Sequence, residues 1–131
     1  MEAIRTQYKG QWFRSKLEAQ WAKYFDYCGL RWYYEPEGFK LKDGTKYLPD
    51  FYVPDWGIWL EVKGIMTDKD MHKIKSLAKE SGLCVAIGYA DGVIEVIDPN
   101  GKSTIGCDEE WYKEKWREVT YIDVQAYKAA Q

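Results

Sequence analysis

Residues 48–63 constrain the fold more than any other stretch of this 131-residue chain. Apolar and polar side chains alternate on both sides of a Pro-Asp-Trp-Gly turn, as expected for two antiparallel strands with one buried face. If the hairpin turns on the two residues Asp55-Trp56, the side facing the core carries only apolar residues: Phe51, Val53, Ile58, Leu60 and Val62. The opposite side is predicted to be a bare surface, and it carries Asp50, Tyr52, Trp59, Glu61 and Lys63.

The same register sets Asp50 directly opposite Glu61. Two carboxylates opposed across strands have Cβ atoms about 4.5–5.5 Å apart and repel each other. A divalent cation between their oxygens relieves that repulsion, and Mg²⁺ typically takes one or two carboxylates together with waters and phosphate oxygens. Lys63 lies on the same side, where its ammonium can reach a nucleophilic water or a phosphate. The pattern therefore predicts metal-assisted phosphodiester hydrolysis.

Each of these acids also has a purely structural interpretation. Asp50, Glu61 and Lys63 could form the solvated face of an ordinary amphipathic hairpin, with the lysine relieving the two acids. Glu18 stands three residues after Ser15 and completes the capping box of a helix start. A carboxylate held there is also rigid, and it could supply a further metal ligand beside the hairpin pair.

Periodicity and turn signals predict the other elements and a layered α/β fold. Helices are predicted from the Ser15 cap to Gly29, over residues 67–81 and over residues 108–118. Strands are predicted at residues 30–35, 39–42, 46–53, 58–63, 83–89 and 92–98, with a hairpin turn at Asp43-Gly44. No repeat or long linker divides the chain, which predicts one domain over residues 1–131.

Four short motifs together resemble the PD-(D/E)XK nuclease superfamily, and most closely the small phage endonucleases that resolve branched DNA. They are Phe13-Arg14-Ser15-Lys16-Leu17-Glu18, Gly29-Leu30 with Tyr34-Glu35, Tyr47-Leu48-Pro49-Asp50-Phe51 with Pro54, and Glu61-Val62-Lys63-Gly64. The spacing also resembles theirs, with 32 residues from Glu18 to Asp50 and 11 from Asp50 to Glu61. The resemblance covers residues 13–64, which is 52 of 131 residues.

This resemblance implies a restriction-endonuclease-like fold, a mixed sheet flanked by helices, and a metal-dependent DNA endonuclease. It implies that Asp50, Glu61 and the Val62 carbonyl bind one Mg²⁺ or Mn²⁺. Glu18 would contribute to a second ion, and Lys63 would position the nucleophile. We also expect the DNA backbone to be contacted by residues close to the first helix: Lys9, Arg14, Ser15 and Lys16.

Charge is distributed unevenly along the chain, and it does not decide between DNA and a protein as the binding partner. The net charge is −2, but residues 1–47 carry +3 and residues 48–131 carry −5. The phage junction-resolving enzymes are basic toward the C-terminus, so we expect a DNA endonuclease, with branched DNA as a narrower hypothesis. The acidic second half, with Trp111 and Trp116, instead favours contact with a protein. The Asp43-Gly44 turn favours a monomer over a homodimer that exchanges segments.

Other expectations concern location and alternative functions. Charged residues interrupt every apolar run, so no membrane span is predicted. The N-terminal residues lack the apolar core of a signal peptide, which predicts the cytoplasm, that of a bacterial host if a phage encodes the chain. The alternatives are a nuclease-like module that binds nucleic acid or protein without catalysis, and a transposon-type end-cleaving nuclease.

Overall fold

A computed structural model describes residues 3–105 of the chain. The helices are α1 (Lys16–Tyr27) and α2 (Asp68–Ser81). The strands before α2 are β1 (Thr6–Tyr8), β2 (Gln11–Phe13), β3 (Tyr33–Tyr34), β4 (Phe39–Lys40), β5 (Lys46–Tyr47), β6 (Phe51–Val53) and β7 (Ile58–Lys63). Three strands follow α2: β8 (Val85–Tyr89), β9 (Ile94–Ile97) and β10 (Ser103–Thr104).

A six-stranded mixed sheet lies at the centre, in the order β10-β9-β8-β7-β6-β3. Strands β7 and β8 pair in parallel through the α2 crossover, and the neighbouring pairs are antiparallel. Two separate hairpins, β1-β2 and β4-β5, complete the described strands. The predicted α/β class, a mixed sheet flanked by helices, is confirmed.

Each face of the sheet has its own apolar core. On the α1 face, Trp21 and Phe25 pack with Phe51 and Leu60. Helix α1 approaches the sheet very closely, because a Cβ added at Gly88 would lie 2.7 Å from the Trp21 ring. On the other face α2 packs against the sheet, and the residues buried there include Ile74, Leu77, Trp59, Val85 and Ile87.

Local signals place both helices as predicted. Ser15 caps α1 through the reciprocal hydrogen bonds of a capping box with Glu18. Thr67 caps α2 by accepting a hydrogen bond from the Asp70 N–H, and Gly82 ends it with a φ of 71°. Only glycine adopts that left-handed conformation without steric cost, which explains where the helix stops.

The central hairpin has the predicted register but a different loop. Tyr52 lies opposite Trp59 and Val53 opposite Ile58, as the alternation indicates. The prediction of a two-residue turn was wrong, because the strands end at Val53 and Ile58 and four residues connect them. The Gly57 N–H donates to the Val53 carbonyl at 2.9 Å and closes this loop.

The prediction of a bare polar side was also wrong. Trp59 is buried, and Asp50 and Glu61 are only 9% and 6% exposed. The sheet continues through β8, and the crossover helix that joins two parallel strands must cover one face of the sheet. Here α2 and the β4-β5 hairpin cover the side that carries the acids.

Several strand boundaries differ from the predictions. The strand predicted at 30–35 is paired only over Tyr33–Tyr34, and the one predicted at 46–53 divides into β5 and β6. Pro49 stands at the division, where its missing N–H interrupts the ladder. Strands β1, β2 and β10 were not predicted. The helix predicted at 108–118, with both of its tryptophans, lies outside the described residues.

Candidate active site

Glu18 is fixed at the start of α1 by hydrogen bonds to one of its two oxygens. Its Oε1 accepts from the N–H groups of Ser15 at 3.1 Å and Arg14 at 2.9 Å. The Tyr34 hydroxyl donates to the same atom at 2.9 Å. None of the hydrogen bonds described for residues 3–105 reaches Oε2. Glu18 therefore serves as the cap and still keeps one oxygen for a ligand.

Asp50 is held against β7 by the backbone of Val62, whose N–H donates to Asp50 Oδ2 at 2.8 Å. In an antiparallel pair, the N–H and C=O of one residue point toward the same neighbouring strand. The Val62 carbonyl therefore faces the Asp50 side as well. Continued past Phe51, the register would set Pro49 opposite Val62, and proline has no N–H to donate to that carbonyl. The Pro-Asp sequence thus leaves a backbone oxygen available beside the Asp50 carboxylate.

Glu61 is anchored from the β4-β5 hairpin. The buried Tyr47 hydroxyl donates to Glu61 Oε2 at 2.5 Å. Burial and the charge of Glu61 raise the pKa of Tyr47 far above its usual value, so this hydroxyl remains a donor. The bond orients the Glu61 carboxylate, and no local sequence pattern indicates it because 14 residues separate the partners.

The three acids form a buried group with like charge. Burial raises the pKa of Asp50 far above its ordinary range, and the neighbouring Glu61 and Glu18 carboxyls raise it further. Glu18, Asp50 and Glu61 are all less than 10% exposed. Among the described residues, no lysine, arginine or histidine forms an ion pair with any of the three. Burying like charges without a cation is costly, so the arrangement favours a bound cation.

A fourth acid, Glu35, borders this group and was not predicted as a site residue. Its N–H donates to the Asp50 carbonyl at 2.7 Å, and its φ of 47° turns the chain out of β3. Burial raises its pKa, and the charges of Glu18 and Glu61 add to the increase. The guanidinium of Arg14 offsets this from 2.8 Å. Only the position of Glu35 beside Tyr34 in the resembling motif pointed to it in the sequence.

Lys63 ends β7 on the same side as Glu61 and contacts an acid from α2. Its Nζ lies 3.2 Å from Asp70 Oδ1, and both side chains are roughly three-quarters buried. Although burial raises the pKa of Asp70, hydrogen bonds from Thr67 and Lys63 lower it on balance. The ammonium is therefore held in place next to the carboxylate group by a charged partner.

Of the four predicted DNA-contacting residues, Arg14, Ser15 and Lys16 lie at the start of α1, whereas Lys9 lies near the other end of that helix. Ser15 is the α1 cap, and Lys16 is exposed in the first turn of that helix. Arg14 is exposed and reaches Glu35, whereas Lys9 is exposed in the β1-β2 turn with its Nζ 2.9 Å from Asp26. Two exposed cations, Arg14 and Lys16, thus lie beside Glu18 at the start of α1.

The donor chemistry suits a hard divalent cation. Asp50 and Glu61 interact directly, and the strand register would place the Val62 carbonyl, a neutral oxygen, beside them. Mg²⁺ and Mn²⁺ prefer such oxygen ligands and complete their shells with water or phosphate oxygens. Within residues 3–105, no three acidic, histidine or cysteine side chains stand in a ready-made ligand arrangement. Participation of Glu18 in ion binding stays a prediction.

Comparison of the sequence with protein families and with curated proteins gives no match in either case. Neither described helix is long and apolar enough to cross a lipid bilayer.

Proposed function

We propose that this chain is a divalent-metal-dependent DNA endonuclease of the PD-(D/E)XK type. The observation that carries the proposal is the burial of Glu18, Asp50 and Glu61 together, without a paired cationic side chain among the described residues. A fold gains nothing from burying mutually repelling carboxylates unless something of opposite charge binds between them. Lys63 beside the group and the exposed cations at the start of α1 suit a phosphodiester.

In this proposal Asp50, Glu61 and the Val62 carbonyl hold one Mg²⁺ or Mn²⁺, and Glu18 contributes to a second. When bound, such an ion would supply Lewis-acid chemistry, polarising the phosphate and lowering the pKa of a water. Lys63 orients the nucleophilic water or stabilises the charge on the phosphate. Tyr47 holds Glu61 in position, and Lys16 contacts the DNA backbone.

Plasmid nicking tests the proposal. We expect the wild type to nick supercoiled DNA in Mg²⁺ and to be inactive in EDTA. Asp50→Asn and Lys63→Ala should each lower the rate by about a thousandfold, because each removes several kcal/mol of transition-state stabilisation. Asp91→Asn, an exposed turn residue, serves as the matched control. Equal nicking by wild type and Asp50→Asn would reject the assignment.

One observation favours a second candidate, a nuclease-like module that binds DNA without cutting it. Lys63 is already neutralised by Asp70, so it has no free charge until that ion pair opens. Titration calorimetry separates the two functions. If the chain is an endonuclease, the wild type should bind Mn²⁺ and the Asp50→Asn variant should not. A binding module should show the same DNA affinity with and without the metal.

A further inference from the structure

The β1-β2 hairpin projects beside the carboxylate group with two different faces. Its inner face packs on the protein: Phe13 is buried, and the Tyr8 hydroxyl donates to Asp26 at 2.6 Å. Its outer face carries the cross-strand pair Gln7 and Trp12, and both side chains are exposed. Within residues 3–105, Trp12 belongs to neither apolar core.

Trp12 is half exposed and is held by a cation. The fraction of its surface open to solvent is 50%, and the Arg5 guanidinium carbon lies 4.8 Å from the centre of its ring. A guanidinium over an indole limits the motion of both side chains through a cation–π contact. The result is a pre-oriented aromatic surface with a positive charge at its side.

The charged residues in and next to the β1-β2 hairpin are all basic. Residues 5–16 contain four basic residues and no acidic residue, although the whole chain has a net charge of −2. All four of these cations, Arg5, Lys9, Arg14 and Lys16, are exposed. A segment with this composition is complementary to a polyanion, and it would repel a basic partner.

The backbone connects this hairpin directly to the site. Strand β2 ends at Phe13, and the N–H of the next residue, Arg14, donates to Glu18 Oε1 at 2.9 Å. A DNA strand whose phosphate reached the carboxylates would therefore continue past Arg14 toward Trp12. Its nucleotides near the predicted scissile phosphate would then meet the exposed indole of Trp12.

We propose that Trp12, with Arg5, forms a stacking platform for an unpaired base of the DNA strand that enters the site. The inference rests on the proposed function, and it narrows the substrate to DNA with single-stranded nucleotides beside the cleavage point. Stacking on an indole requires a free base face, which paired duplex does not offer. The hairpin cations bind the flanking phosphates and contribute equally to single strands and duplexes.

Fluorescence anisotropy with a labelled 20-nucleotide strand and the matching duplex, both in EDTA, tests the platform. Loss of one stacked base costs about 5- to 150-fold in affinity. We therefore expect Trp12→Ala to weaken single-strand binding by that factor and to change duplex binding less than about twofold. Trp12→Phe should restore most of the single-strand affinity, because it keeps an aromatic face.

Tyr27→Ala is the matched control, since Tyr27 is 63% exposed at the opposite end of α1. It should bind both oligonucleotides as the wild type does. Unchanged single-strand binding by Trp12→Ala would overturn the platform. So would an equal loss on single strand and duplex, because that result would indicate a general electrostatic or folding effect.

Nicking assays on the same variants keep the two proposals distinguishable. If the wild type binds single strands through Trp12 but never cleaves, the platform stands and the endonuclease is rejected. If the wild type nicks DNA while Trp12→Ala binds normally, the endonuclease stands and the platform is rejected. Failure of the wild type to bind either oligonucleotide would reject the platform and count against the endonuclease.

Discussion

Two aspartates, Asp26 in α1 and Asp50 directly before β6, show two uses of a carboxylate. Asp26, in the last turn of α1, accepts hydrogen bonds from the Tyr8 hydroxyl at 2.6 Å and the Trp32 indole at 2.9 Å. Lys9 Nζ adds an ion pair at 2.9 Å. Although burial raises the pKa of Asp26, these donors lower it on balance. Its charge is satisfied by the protein itself.

Asp50 has the opposite environment. Its carboxyl accepts one backbone N–H, from Val62, and shares a hydrogen bond with the Glu61 carboxyl, while the charged side chains that act on it are the acids Glu61 and Glu18. The pKa of Asp50 is therefore raised, whereas that of Asp26 is lowered. The difference teaches that Asp26 serves the fold, whereas no cationic side chain within residues 3–105 pairs with Asp50. A ligand that supplies positive charge would remove the difference between them.

Replacing Asp26, whose carboxylate is paired within the protein, should have the largest effect on stability. Asp26→Ala leaves the Tyr8 hydroxyl and the Trp32 indole without their acceptor and Lys9 without its partner. We expect a loss of about 2 kcal/mol in the free energy of unfolding, because hydrogen bonds to charged groups are worth roughly 1.5–3 kcal/mol. Thermal unfolding followed by circular dichroism should show a melting temperature lower by roughly 8 °C.

The matched control for this change is Glu37→Ala, at an exposed position of the same charge type. It should melt within about 1–2 °C of the wild type, because such surface substitutions are worth less than about 0.5 kcal/mol. If Asp26→Ala has the same melting temperature as Glu37→Ala, the three donors around Asp26 do not stabilise the fold.

Asp50→Asn should act in the opposite direction. Asparagine keeps an acceptor for the Val62 N–H and removes a carboxyl whose ionisation is opposed by burial and by the neighbouring acids. We expect the metal-free protein to gain about 1 kcal/mol, a typical gain when a strained functional site is relaxed. Its melting temperature should rise by several degrees. Mn²⁺ should raise the melting temperature of the wild type and leave that of the variant unchanged. A destabilised variant would contradict the interpretation of Asp50 as a strained ligand.

The pH dependence of Asp26 gives a smaller effect with a definite sign. Its folded pKa lies below the ordinary value of 3.8, so the unfolded chain takes up the proton first as the pH falls. The stabilisation is complete above about pH 4 and is lost as the pH drops through the folded pKa. Urea unfolding of wild type and Asp26→Asn should therefore converge as the pH falls from 5 toward 3. A constant difference over that range would show that the charge of Asp26 contributes nothing.

Local patterns in the sequence predicted the parts of the fold that depend on neighbours along the chain. The Ser15 and Thr67 caps defined both helix starts, because capping involves residues within one turn. The apolar alternation around Phe51 and Leu60 fixed the strand register, since a shift by one residue would invert every side chain. This register alone put Asp50 and Glu61 on one side of the sheet.

Contacts between distant segments could not be predicted in the same way. The burial of Glu61 depends on Tyr47 and α2, which reach it from separate segments of the chain. Glu35 joins the site because β3 pairs with β6, and two paired residues in β3 give too short a pattern to predict that. The partnership of Lys63 with Asp70 likewise requires the crossover that brings α2 onto that face.

The smallest effect expected concerns this last ion pair, in which Asp70 acts as a positioning residue for Lys63. Asp70→Asn keeps an acceptor for the Thr67 hydroxyl but weakens its hold on the ammonium. Partly exposed ion pairs contribute about 0.2–1 kcal/mol, so we expect kcat for nicking to fall two- to fivefold. KM should not change, and the melting temperature should fall by no more than about 5 °C. Asp68→Asn, in the same helix turn, is the matched control and should cleave at the wild-type rate. A faster Asp70→Asn enzyme would show instead that Asp70 withholds Lys63 from the reaction, which is the behaviour that the binding-module alternative requires.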